Sequence, residues 1–185
     1  MLAAAMSPAS AQWDASKASG FPGDRGRMFG GLPFPTGPLP PRPAETPVSP
    51  ALPMDVALVA ARAATAACAG YHVGVAIVDL AGMPKLYFIA DGTAGNHAYT
   101  AFRKAFTALT FRQPSEQVGE ATKTDARLRD RVVADGNLLT FAGGLPIVMN
   151  GRLVGAIGVS GAEPSAVDER CAVAALRRIG ATPTD

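Results

Sequence analysis

The chain has 185 residues, and its 17 basic side chains against 15 acidic ones leave a formal charge of +2. That balance, with no basic cluster, excludes the electrostatic footprint of a nucleic-acid binder, and aromatics at 6% leave no base-stacking platform. No run reaches the 18 or so apolar residues of a membrane helix, while 48% hydrophobic residues suffice for one packed domain with length to spare.

The chain opens on Met1-Leu2-Ala3-Ala4-Ala5, and Ala9-Ser10-Ala11 fits a small-x-small cleavage pattern. It reads as the end of a secretory signal whose basic start is missing, giving a periplasmic or secreted protein. The alternative is an alanine-rich N-terminus on a cytoplasmic one. Most of the sixteen prolines follow, concentrated in Pro33-Phe34-Pro35-Thr36-Gly37-Pro38-Leu39-Pro40-Pro41-Arg42-Pro43. Proline fixes φ and removes amide donors, so this stretch should join neither helix nor sheet ladder. Residues 1–53 are therefore expected to be a leader plus an extended, disordered spacer, with Phe21, Phe29 and Phe34 as possible docking points.

From Met54 onward the pattern is that of a single α+β domain, 54–185. Asp55 to Ala69 is an alanine-rich helix with Val56, Val59, Ala60 and Ala63 on one face. Val73 to Asp79 is a β-branched strand, Asp79 to Gly82 a turn, and Lys85 to Ala90 the returning strand. A helix then runs from the Gly95–His97 region to about Arg112, before Pro114. Glu120 to Ala134 is expected to be one polar helix and Leu138 to Phe141 a short strand. Leu145 to Met149 pairs with Arg152 to Ser160 through Asn150-Gly151, whose residues both tolerate positive φ. Ser165 or Glu163-Pro164 opens a last helix, Val167 to Ile179. Short links force antiparallel neighbours, giving five antiparallel strands flanked by helices. Cys68 and Cys171 sit in alanine-rich helical runs. They are expected to be two small buried hydrophobes, with a disulfide as the alternative if the helices pack side by side in an oxidising compartment.

The chemistry concentrates on the second predicted helix: at about 100° per residue, His97, Thr100, Lys104, Thr107 and Phe111 share an arc of about 80°, with Arg103 beside it. A histidine at a helix start can leave one ring nitrogen free for a metal, Lys104 and Arg103 can pair with carboxylates, and Phe111 can cover an apolar ring. This is what haem would ask of a helix surface, with His97 as iron ligand and Thr107 as alternative. An ordinary solvated face, or a subunit contact, explains the same stripe. His72 reads as a strand-edge residue with a satisfied ring. Ser160-Gly161-Ala162 could hold an anion at a helix N-terminus, although a strand-to-helix turn capped by Ser165 is the simpler reading. Gly155 and Gly158 fall within a strand, where they permit close backbone approach. Asp79 and Asp91 should brace turns, and Asp168-Glu169 suit the start of the last helix.

Four segments together resemble the GlcG/HbpS-type haem-binding proteins, whose domain also occurs at the C-terminus of corrinoid adenosyltransferase-related proteins. They are Val75–Asp79 with Gly82; Asp91-Gly92 through Arg103–Ala108; Gly143–Ile147; and Val154–Ala162 with Asp168-Glu169. The resemblance spans about Met54 to Ile179. It implies an antiparallel sheet flanked by helices, assembly into oligomers from dimer up to octamer, and haem as cofactor in some members. It places His97 where related sequences carry a histidine after Ala-Gly-Pro, here Ala94-Gly95-Asn96, and it links the Thr107 position to iron coordination. The expectation is an exported haem-binding protein for storage, scavenging or sensing, without a committed catalytic cycle. The alternatives are an enzyme or accessory protein binding a small organic acid or corrinoid, and a structural oligomeric module without cofactor.

Overall fold

The computed structural model describes residues 52–182 and, upstream, two short strands, β1 (Arg27–Met28) and β2 (Leu32–Pro33), paired antiparallel. Pro33 thus does enter a ladder, opposite Arg27, at the strand end where a missing amide matters least. The other expectations for residues 1–51, leader, spacer and docking phenylalanines, lie outside the described residues. These two strands belong to a unit of their own, Met1–Pro43, and every residue of the candidate site belongs to the second, Ala44–Asp185. Leu52, on the far side of the expected boundary at Met54, is buried in the core of that second unit.

The elements of the second unit are α1 (Met54–Ala67), β3 (Gly74–Val78), β4 (Pro84–Ile89), α2 (His97–Phe111), α3 (Ser115–Thr122), α4 (Ala126–Ala134), β5 (Gly144–Met149), β6 (Arg152–Ser160) and α5 (Ala166–Arg178). The sheet is antiparallel, in the order β4-β3-β6-β5. Asn150 and Gly151 both take positive φ, 51° and 72°, as the β5–β6 hairpin requires. Asp79 braces the β3–β4 turn, its Oδ1 accepting from the amides of Ala81 and Met83 at 2.9 Å each. Asp91 contributes its backbone carbonyl, 2.7 Å from His72 Nδ1, so the His72 ring is engaged as expected.

Strand alternation sorts the two faces. Val75, Ile77, Leu145, Ile147, Ile157 and Val159 point to α1 and α5 and form the larger core. Ala76, Val78 and Ala156 point to α2. On this side small residues bring the helix backbone down onto the strands. A Cβ at Gly158 would collide with Ala101 O and Ala105 N, and one at Gly74 would lie 2.8 Å from Ala98 N. The expectation that the β6 glycines serve close packing is met there.

Three expectations need correction. The sheet has four strands among the described residues, because Leu138 to Phe141 is irregular. Its backbone is satisfied by side chains instead: Arg103 Nη2 donates to Leu138 O (2.9 Å), Leu139 N to Thr107 Oγ1 (2.7 Å), and Ser115 Oγ to Phe141 O (2.6 Å). The expected helix Glu120–Ala134 is two helices, with α3 starting earlier, after Pro114. Asp125 interrupts the run and caps α4, its Oδ1 accepting from Leu128 N. Cys68 and Cys171 are buried but form a disulfide, with Cα atoms 5.6 Å apart. The helices α1 and α5 do lie side by side on one sheet face, which is the condition the alternative reading required.

Candidate functional site

The glycine contacts that seat α2 also decide what its first turn meets. Gly74 pairs with Ser160 in the sheet, and with no side chain on Gly74 the His97–Ala98 backbone rests there. His97 therefore stands at the end of β6, its Nδ1 3.3 Å from Ser160 Oγ. Around this pair opens a cleft of about 420 Å³, within the range of small-molecule sites. Asn96, His97 and Thr100 of α2 form one wall, Ser160 to Glu163 and Ser165 the other, Lys104 and Asp168 the floor, with Phe141 at the side. Phe141 is 64% exposed.

The floor is a buried ion pair. Lys104 Nζ donates to Asp168 Oδ2 at 2.7 Å and to Val159 O at 3.0 Å, and both side chains are nearly inaccessible. Asp168 Oδ1 accepts from Ala162 N at 2.9 Å, which fixes the turn after β6. Burial pushes the Lys104 ammonium below its ordinary value, against the pull of its bond to Asp168. Removing one partner of such a pair leaves an uncompensated charge. Ser165 occupies the N-cap of α5 without making a side-chain cap bond, so the expected cap is absent and Asp168 organises the turn instead. Beyond the floor, burial pushes the Glu169 carboxyl upward, opposed by the Gly143 amide that it accepts and reinforced by Glu116.

The single polar arc expected on α2 is divided. His97, Thr100 and Lys104 line the cleft; Arg103, Thr107 and Phe111 do not. Thr107 is fully buried, its hydroxyl donating to Arg103 O and accepting from Leu139 N, which leaves it no face toward a ligand. Arg103 holds Leu138 O and lies 5.8 Å from the Tyr99 ring centre. Phe111 lies under Arg131, 4.8 Å from the guanidinium carbon. Lys104 reaches the cleft but is already engaged by Asp168 rather than free for a ligand carboxylate. The helical period is right and the solvent side wrong, because residues 138–143 and α5 cover the arc.

Phe141, Asn96, Glu163 and Ser165 enter the site unforeseen. Their one signal in the sequence is position: three flank helix starts that follow strands, where open α/β edges gather ligands. Among the described residues no cluster of three or more metal-ligating side chains occurs, and no helix is long and apolar enough to cross a membrane.

Known proteins agree with this architecture. Residues 52–177 match the family model described as "Haem degrading protein HbpS-like". The crystal structure of a double mutant of HbpS from Streptomyces reticuli is similar at TM-score 0.64 and 34% identity, over 76% of this chain and 95% of that one. A complex of PduOC with haem shares the fold at TM-score 0.66 and 23% identity, over 73% and 99%. An uncharacterised 15.0 kDa protein of Citrobacter freundii, encoded between dhaT and dhaS, is 31% identical over 86 residues, 46% of this chain; the aligned part spans 61% of that relative. With the family model covering the whole domain from Leu52 to Arg177, the chain belongs to the HbpS-like family.

Proposed function

We propose that this chain binds haem in the cleft beside α2, with His97 as axial ligand. The observation that carries the reading is the His97–Ser160 pair. The hydrogen bond to Ser160 Oγ engages Nδ1 and holds the ring, and when Nδ1 is the donor the Nε2 lone pair, without a partner among the described residues, is left for iron. The residues fit the group in kind: an imidazole, a cleft of about 420 Å³, and the Phe141 ring for an apolar surface. Thr107 is set aside as a ligand because its hydroxyl is consumed. The description of the family model and the similarity to HbpS support haem, and PduOC holds haem on the same fold. When bound, haem would supply iron for storage, sensing or redox chemistry; this chain's residues would hold and orient it.

Export belongs to the same proposal. It is supported by the Cys68–Cys171 disulfide, a bond that persists in oxidising compartments. Assembly of several copies is supported by the edge strand β4 and its turn, where Met83 and Ile89 are 61% and 56% exposed. Light scattering on the purified protein checks it, a monomer at all concentrations ruling it out.

The central test is a hemin titration followed by absorbance. Wild-type protein gives a saturable Soret band; His97→Ala loses it or shifts it to a weaker, five-coordinate-like spectrum, while Thr107→Val keeps it. A band unchanged in His97→Ala removes His97 from the iron.

A further inference from the structure

Iron ligation by His97 leaves one reactive group of the cleft without a task. Lys104 is 2% exposed and still lines the cleft floor, so the cleft is the route by which its amine is reached. Two of its three hydrogen-bonding positions are fixed, on Asp168 Oδ2 at 2.7 Å and on Val159 O at 3.0 Å; the third has no partner among the described residues. A glycine stands beside the nitrogen: a Cβ on Gly143 would lie 3.2 Å from Lys104 Nζ. Asp168 is held in turn, its other oxygen accepting from Ala162 N at 2.9 Å. Burial weakens the hold of Lys104 on its proton, and the fixed carboxylate is in place to take it. A desolvated amine beside a proton acceptor, at the floor of an open cleft, is how a lysine becomes a nucleophile.

The surrounding charges select what this amine can attack. Asp168 and Glu169 of α5 and Glu163 after β6 all favour positive charge on the nitrogen. Acylation would leave a neutral amide there and strand Asp168 as a buried, unpaired charge. Condensation with an aldehyde does not, because the protonated imine carries the charge that the ammonium carried. A carbonyl acid would bring a negative charge toward those carboxylates, whereas a neutral aldehyde brings none. The Phe141 ring at the side of the cleft offers apolar surface to a short alkyl chain.

We propose that the cleft floor is a covalent aldehyde site, in which Lys104 forms an imine with a small neutral aldehyde and Asp168 carries the proton. Asp168 takes a proton from the ammonium. The freed nitrogen pair bonds to the carbonyl carbon, the C=O π pair moves to oxygen, and a proton passes from nitrogen to that oxygen. The Asp168 carboxyl then protonates the departing hydroxyl, the nitrogen pair closes the C=N bond, and water leaves. One ammonium and one aldehyde give one protonated imine and one water, with nothing oxidised or reduced. Asp168 ends as the carboxylate that pairs with the product. Haem is not needed for this step; the cleft has only to admit the aldehyde.

The full chain is incubated at neutral pH with butanal and sodium cyanoborohydride, which reduces an imine to a stable butyl-lysine, and peptide masses locate the label. Lys123, exposed on α3's end, is the internal reference. Lys104 should be labelled with a rate that saturates in butanal and exceeds that of Lys123 by at least about tenfold, a modest share of what a positioned general acid supplies. In urea the preference should vanish, a control that needs no variant to fold. Asp168→Asn should lose the preference as well. Pyruvate in place of butanal should leave Lys104 unlabelled, and an acetylating ester should modify Lys123 and spare Lys104. No label at Lys104, or labelling that neither saturates nor outpaces Lys123, overturns the site. Acetylation of Lys104 as ready as that of Lys123, or labelling by pyruvate equal to that by butanal, overturns the selection by charge. A Soret band with hemin but no label at Lys104 removes the aldehyde site alone; a label without any Soret band removes the haem reading alone.

Discussion

The two faces of the sheet are held by different means. Toward α1 and α5 the contacts are aliphatic and sealed: Val75, Ile77, Ile147, Ile157 and Val159 are inaccessible, and a covalent bond joins the two helices. Toward α2 the side chains are small, the helix backbone lies on glycines, and the periphery is polar and hydrogen-bonded. A face built from large apolar side chains keeps its helices at a distance and has no donors to offer. The face built from glycine and alanine brings a helix start against a strand end, and a cleft with a histidine, a serine and a lysine results. The first face supplies stability, and the second positions chemistry.

Substitutions that exchange these roles measure the difference. The largest effect is expected at Gly158: valine there would drive its side chain into the Ala101 carbonyl, so Gly158→Val should lose about 4 kcal/mol or more, or fail to fold, as read by denaturant unfolding. Removing the covalent link on the opposite face, Cys68→Ala with Cys171→Ala, should cost about 4 kcal/mol, since the bond spans 103 residues of chain. The cleft should survive that change, because its floor is held by the Lys104–Asp168 pair and the Ala162 amide rather than by the disulfide. Hemin binding measured well below the lowered melting temperature tells whether the faces are independent. Lys104→Met should cost about 3 kcal/mol by stranding Asp168, and unlike the cysteine pair it should also impair ligand binding. Equal loss of binding from both variants would erase the distinction.

The smallest effect concerns pH. The Glu169 carboxyl is raised above its ordinary value by burial, so the folded state binds its proton more tightly than the unfolded chain does. Its favourable contribution is full below the unfolded value and disappears as pH rises through the folded one. Glu169→Gln should therefore flatten the stability profile in the acid range and leave neutral stability equal or slightly higher. A melting curve across that range checks the sign, and a steeper profile in the variant would contradict it.

Much of the fold is legible in local pattern. The β3–β4 turn follows from Asp79 to Gly82, and the β5–β6 hairpin from Asn150-Gly151, because each turn needs residues that brace it or accept positive φ. The α2 boundaries follow from its apolar period and from Pro114 beyond it. Leu138 to Phe141 misleads because β-forming residues cannot reveal that Thr107, Arg103 and Ser115 will take their backbone groups. The break at Asp125 was hidden by a polar stretch with no apolar stripe to lose. For the site, His97, Thr100 and Lys104 share the face that the helical period assigns them. Asp168, 64 residues from Lys104, looked like a residue suited only to its own helix dipole.

The order of helices and strands, the hairpin links, and the imidazole at the head of α2 are properties of the sequence, because they depend on residues a few positions apart. Tertiary structure alone decided that Lys104 and Thr107 turn inward, that Cys68 meets Cys171, and that Ser160 stands under His97. Each of those depends on which distant surface closes over a helix, and the local period of a chain cannot specify that.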